Sequence, residues 1–171
     1  MRTSSMAMIL ASCAVAGLLA QGAGDTAKAE LKSADGKSMG TVTLTDTPHG
    51  VLMHVALTGV PEGAHGFHIH QTGKCEPPFT TAGGHFNPAS KQHGAENAMG
   101  MHAGDMPNVT VPAGGSLTFD VLAPDVTLKA GPNSLLDADG SAIVLHATAD
   151  DYKSDPAGNA GARLACGVVT K

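Results

Sequence analysis

Residues 41–45 read TVTLT. Threonine and an aliphatic residue alternate without a break, the period-two pattern of a strand with one face in a core and one in water. Outward from there, runs rich in Val, Leu, Ile and Thr predict strands at 27–33, 38–46, 50–58, 64–70, 115–122, 125–130, 141–147 and 163–169. Turn clusters separate them: Ala34-Asp35-Gly36, Pro48-His49-Gly50, Pro61-Glu62-Gly63, Ala123-Pro124-Asp125 and Asp137-Ala138-Asp139-Gly140. Eight short strands point to an all-β fold, an antiparallel sandwich or flattened barrel. Two stretches break the rhythm. Residues 71–114 form a connection dense in Gly, Pro, Asn and His, and residues 148–162, TADDYKSDPAGNAGA, form a second. Loops of this length in a compact domain are usually functional or disordered, and histidines that a metal could tie down favour function here.

The first residues do not belong to that domain. MRTSSMAMILASCAVAGLLAQGAG carries one cation, Arg2, an apolar run from Met6 to Ala20, and small residues after it. That is the layout of a secretory signal peptide, too short for a membrane anchor, so the chain divides into a signal at 1–23 and one domain at 24–171. Leu10-Ala11-Ser12-Cys13 resembles the cleavage box of bacterial lipoproteins, a minor alternative, but the apolar run continues through Leu19. The mature chain is therefore expected to be exported and soluble, with no membrane partner. Export leaves Cys75 and Cys166, 91 positions apart. An oxidising compartment favours one disulfide between them over the alternative of two free thiols. The formal charge of −5 becomes −6 once Arg2 leaves, because residues 1–24 contain no Asp or Glu. With no basic run, and no aromatic platform among four Phe and one Tyr, the chain is not a nucleic-acid binder.

Residues 66–75, GFHIHQTGKC, carry the chemistry. On a strand, His68 and His70 share a face while Phe67 and Ile69 take the other. A lone HxH is most simply a polar strand surface; here it heads a longer set. His70 is followed after fourteen residues by His85, after seven more by His93, after eight more by His102-x-x-Asp105, and after forty more by His146. His49 and His54 are explained by a turn and a strand, and His65 is a candidate hydrogen-bonding support. Imidazole suits copper and zinc, and one carboxylate beside several imidazoles is an ordinary zinc set. Seven such groups exceed the need of one tetrahedral ion, whereas two ions sharing one histidine would use them all.

The motifs GFHIH, AGGHFNPASKQHG, MHAGDMPNV, VLHATADDY and GNAGARLACGVV resemble the copper–zinc superoxide dismutase family in order and ligand spacing, over most of residues 40–170. The resemblance implies an eight-stranded Greek-key barrel of the exported, periplasmic bacterial type. It implies copper on His68, His70, His85 and His146, and zinc on His85, His93, His102 and Asp105, with His85 as the bridge. It also implies that Asp150 links His68 to His93, that Arg163 docks the superoxide anion, and that Cys75 pairs with Cys166. The implied reaction converts superoxide to O2 and H2O2 by copper cycling between two oxidation states while His85 alternately bridges and carries a proton. The implied assembly is a homodimer or a monomer.

This chain departs from the animal members in four ways, one being that Cys75 lies closer to the HxH pair than their cysteine does. The loop from His146 to Arg163 is shorter, Lys153 is its only remaining lysine beside Asp150, Asp151 and Asp155, and Ala157 replaces a channel threonine. A chain of charge −6 repels an anion on average, so any attraction must be local. Met99, Met101 and Met106 are read as packing residues. The competing reading is a non-catalytic periplasmic copper or zinc carrier of the same fold, for which Arg163 and Asp150 would have no use.

Overall fold

A computed structural model describes residues 24–171; the signal segment expected at 1–23 lies outside the described residues. The strands are β1 (Thr26–Ser33), β2 (Ser38–Thr47), β3 (Gly50–Leu57), β4 (Gly63–His65), β5 (Phe67–His70), β6 (Val109–Val111), β7 (Leu117–Ala123), β8 (Ala142–His146) and β9 (Arg163–Val168). Alternation becomes burial directly. Along β2, Val42 and Leu44 enter the core while Thr41 and Thr43 face water, and along β3 Val51, Met53, Val55 and Leu57 do the same. Pro48-His49 turns β2 into β3 with Thr47 opposite Gly50, and Thr47 Oγ1 donates to the Gly50 carbonyl at 2.7 Å.

Seven strands form one antiparallel sheet in the order β5-β8-β9-β1-β2-β3-β7, and β4 pairs with β6 in a second. The large sheet curls until its two ends meet across the core: Phe67 on β5 and Phe119 on β7 touch edge to face, centroids 5.8 Å apart. The antiparallel all-β architecture expected from the sequence is what the chain adopts.

Three strand assignments change. The run expected at 64–70 divides at Gly66, whose N–H donates to the Thr148 carbonyl and whose carbonyl accepts from the His146 N–H; β4 then pairs with β6 and β5 with β8. The strand expected at 125–130 is a loop. Val126 and Leu128 are buried, but they plug the core without a ladder, because Asp46 accepts from Thr127 Oγ1 (2.6 Å) and the Leu128 N–H (2.8 Å). Conversely, Val109–Val111 forms β6 inside the expected long loop.

The disulfide joins Cys75 to Cys166, with Cα atoms 5.6 Å apart. It ties the 71–114 loop to β9, and Phe79, Ala82, Ala142 and Val144 pack around it.

Candidate metal centre

On β5 all four residues are fully buried. Phe67 and Ile69 join the core, and His68 and His70 meet histidines from elsewhere in the chain. One nitrogen each from His68, His70, His85 and His146 lie within 4.8 Å of one another, and so do one donor atom each from His85, His93, His102 and Asp105. The expected ligand set is thus gathered into two groups that share His85. In the second group, Asp105 Oδ1 lies 2.7 Å from His85 Nδ1, 3.0 Å from His93 Nδ1 and 3.2 Å from His102 Nδ1. In the first, His70 Nε2 and His146 Nε2 are 3.4 Å apart.

The groups fit cations for a reason internal to the protein. Among the described residues, His68 Nδ1 and His85 Nε2 are buried with no hydrogen-bond partner, and both face the first group. An unpartnered buried polar atom is costly unless something takes it up, and a cation does so. Three of the imidazoles, His70, His85 and His146, are also held neutral, the form that ligates. Burial, helped by neighbouring histidines, pushes His85 down to about 4 and His146 to about 3. Burial again, with His85 and Arg163 nearby, takes His70 to about 2. The carboxylates stay ionised. Burial opposes this at Asp105, but the His85 bond and the Gly94 N–H hold its carboxyl well below the usual range. Asp150 falls to about 2 because bonds from His68, His93 and the Tyr152 N–H outweigh its burial. Four imidazoles suit copper or zinc, and three imidazoles with one carboxylate are an ordinary zinc set.

The ring nitrogens facing outward are held by oxygens, which sets ring orientation. His68 Nε2 donates to Asp150 Oδ2 (2.8 Å) and His93 Nε2 to Asp150 Oδ1 (3.0 Å). His70 Nδ1 donates to the Gly83 carbonyl at 3.0 Å. Asn108 grips Asp150 from behind: its Nδ2 donates to the Asp150 carbonyl and its Oδ1 accepts the Asp150 N–H, both at 2.8 Å. Arg163, at the start of β9, donates from Nη1 to the Phe79 carbonyl (2.6 Å) and from Nη2 to that of Gly83 (2.7 Å).

The remaining candidates divide. His65 is buried, its two ring nitrogens on the carbonyls of His146 (2.8 Å) and Pro61 (3.0 Å), so it supports the end of β8. His54 is exposed and bonds Asp120 across the β3–β7 ladder, and His49 lies on an exposed turn. Lys153 is engaged by Glu96 at 2.7 Å. Sequence reasoning missed the Phe79 and Gly83 carbonyls and Asn108. The first two act through groups every residue carries, and only the MPNV segment hinted at the third.

Residues 38–169 match the family model described as copper/zinc superoxide dismutase. Superoxide dismutase [Cu-Zn] 2 of Aquifex aeolicus is 51% identical over 146 residues, 84% of this chain and 85% of that protein. Superoxide dismutase [Cu-Zn] of Caulobacter vibrioides is 46% identical over 148 residues, 84% and 85% of the two chains. Among solved structures, a SOD-like protein from Bacillus subtilis superposes with a TM-score of 0.81 at 41% identity, over 84% of this chain and 97% of that one. Two ligand groups meeting at His85, matched across the barrel that carries them, place this chain in the copper/zinc superoxide dismutase family.

Proposed function

We propose that the chain is an exported dismutase of superoxide, carrying out 2 O2⁻ + 2 H⁺ → O2 + H2O2. The observation that carries this reading is the pair of buried ligand groups joined through His85, with Arg163 held beside the four-histidine group by the carbonyl that also receives His70. His68, His70, His85 and His146 are the residues that would hold copper, and His85, His93, His102 and Asp105 those that would hold zinc. Copper bound there supplies the one-electron couple that lets a single centre both oxidise and reduce superoxide.

The protein's own residues do the rest. Arg163, always charged and fixed by two carbonyls, offers its remaining N–H donors to a small anion. His85 Nε2, buried and without a partner among the described residues, is the atom at which a proton is held and passed on. Asp150 keeps the rings of His68 and His93 in one orientation. The disulfide secures the segment whose carbonyls orient Arg163. Local attraction of the anion falls to Arg163 and bound cations, because Lys153 is engaged by Glu96. Export by residues 1–23 agrees with the disulfide, which oxidising compartments preserve.

The test is to recover the chain from an oxidising compartment, read its N-terminus, load copper and zinc, and measure dismutation beside Arg163→Ala. Copper-dependent activity that falls in the variant supports the reading. Full metal occupancy without activity in either protein would replace it with the carrier.

A further inference from the structure

Nearly every histidine in the two groups has its outward nitrogen on an oxygen. His68 and His93 use Asp150, His70 uses the Gly83 carbonyl, and His146 Nδ1 faces the Gly161 carbonyl at 3.5 Å. His85 directs one nitrogen into each group. His102 remains. Its Nδ1 faces Asp105, so its Nε2 points outward, where Asp155 Oδ1 lies 3.9 Å away. That same oxygen accepts the backbone N–H of His93 at 2.6 Å. Asp155 belongs to the 148–162 loop, five positions beyond Asp150. The loop therefore sets two carboxylates against the three-histidine group, Asp150 on its buried side and Asp155, half-exposed, on its rim.

We propose that Asp155 is a positioning residue for the zinc ligands, anchoring His93 through its main chain and orienting His102 through its outer ring nitrogen. This rests on the metal-centre reading above. A gap of 3.9 Å is longer than a hydrogen bond, and a small side-chain rotation closes it. A cation on His102 Nδ1 makes the opposite N–H a stronger donor, so ion binding and this contact reinforce each other. Zinc binding is thereby coupled to the placement of Asp155 on the 148–162 loop, through a carboxylate that never touches the ion.

The full chain, stripped of metal, is titrated with zinc against a chromogenic chelator, and with cobalt(II) for its absorption spectrum. Asp155→Ala is expected to weaken zinc binding about tenfold or more and to alter the cobalt bands. Asp155→Asn, nearly isosteric and able to keep the His93 N–H bond, is expected to fall between Asp155→Ala and the unaltered chain, and it guards against simple misfolding. Asp151→Ala is the loop control, because Asp151 accepts from the Lys153 and Ser154 N–H groups and from Asn159 without facing a ligand. It is expected to bind zinc like the unaltered chain. Unchanged affinity and spectra in both Asp155 variants would overturn the proposal, as would equal weakening by Asp151→Ala. An unaltered chain that takes up no zinc would overturn the metal-centre reading itself, and the role of Asp155 with it.

Discussion

Arg163 and His70 share one acceptor: the Gly83 carbonyl receives Arg163 Nη2 at 2.7 Å and His70 Nδ1 at 3.0 Å. A single peptide group thus registers the cation proposed to dock the anion against the four-histidine group. A lysine carries the charge but not the planar fork that spans two carbonyls. Arg163→Ala is expected to lower kcat/KM for superoxide by about tenfold or more, with Arg163→Lys recovering only part of it. Rapid-mixing or pulsed measurements at low and high salt check this. Equal activity in Arg163→Lys and the unaltered enzyme would show that charge alone suffices.

Gly158 occupies a position where no other residue fits. Its φ is +63°, and a Cβ there would overlap the Asp150 carboxylate and lie 2.6 Å from His93 Nε2. Gly158→Ala is therefore expected to break the link between Asp150 and His93 and to weaken zinc retention by about 10- to 100-fold. Zinc content after dialysis against a chelator reads this directly.

The disulfide closes a loop of 91 residues. Chain entropy sets its contribution at up to about 4–5 kcal/mol, with about 2–5 kcal/mol the usual loss when such a bond is removed. Cys75→Ser is expected to destabilise the metal-free chain within that range in urea titrations. It is also expected to loosen Arg163, because Phe79 packs on the bond and supplies one of the two arginine acceptors.

Acid should unfold the metal-free chain, and the sign follows from which state takes up protons. His70, His85 and His146 titrate at about 2, 4 and 3 in the fold, against 6.5 for the free side chain. Below about pH 6.5 the unfolded chain binds protons that the fold refuses, so stability is greatest above that pH. It falls by up to about 1.4 kcal/mol per pH unit for each such proton. The depressed carboxyls of Asp105 and Asp150 act the same way lower down: their contribution is present above about pH 4 and lost as the pH falls further. Urea midpoints at about pH 8, 6 and 5 should decline in that order, and a flat series would contradict the neutral-imidazole description.

The legible parts of the chain were those where side-chain identity and spacing carry the information. TVTLT announced β2, and the HxH pair with its downstream histidines announced the ligand groups. What stayed hidden has physical causes. Val126 and Leu128 alternate as a strand would, yet Asp46 diverts their backbone into a loop. Three residues of β6 are too few for a periodicity to register. The acceptors that orient His70 and Arg163 are main-chain carbonyls, chemically alike at every position, which only folding distinguishes.

The two ligand groups also differ in how much chain must close to assemble them. His85, His93, His102 and Asp105 span 20 positions (105 − 85), whereas His68, His70, His85 and His146 span 78 (146 − 68). Loop-closure entropy makes the wider set costlier by about 1 kcal/mol from length alone. The larger difference is topological, because His146 reaches His68 and His70 only when β8 has paired with β5. The narrow set can gather before β5 has joined the sheet, and the wide set records that β5 has paired with β8.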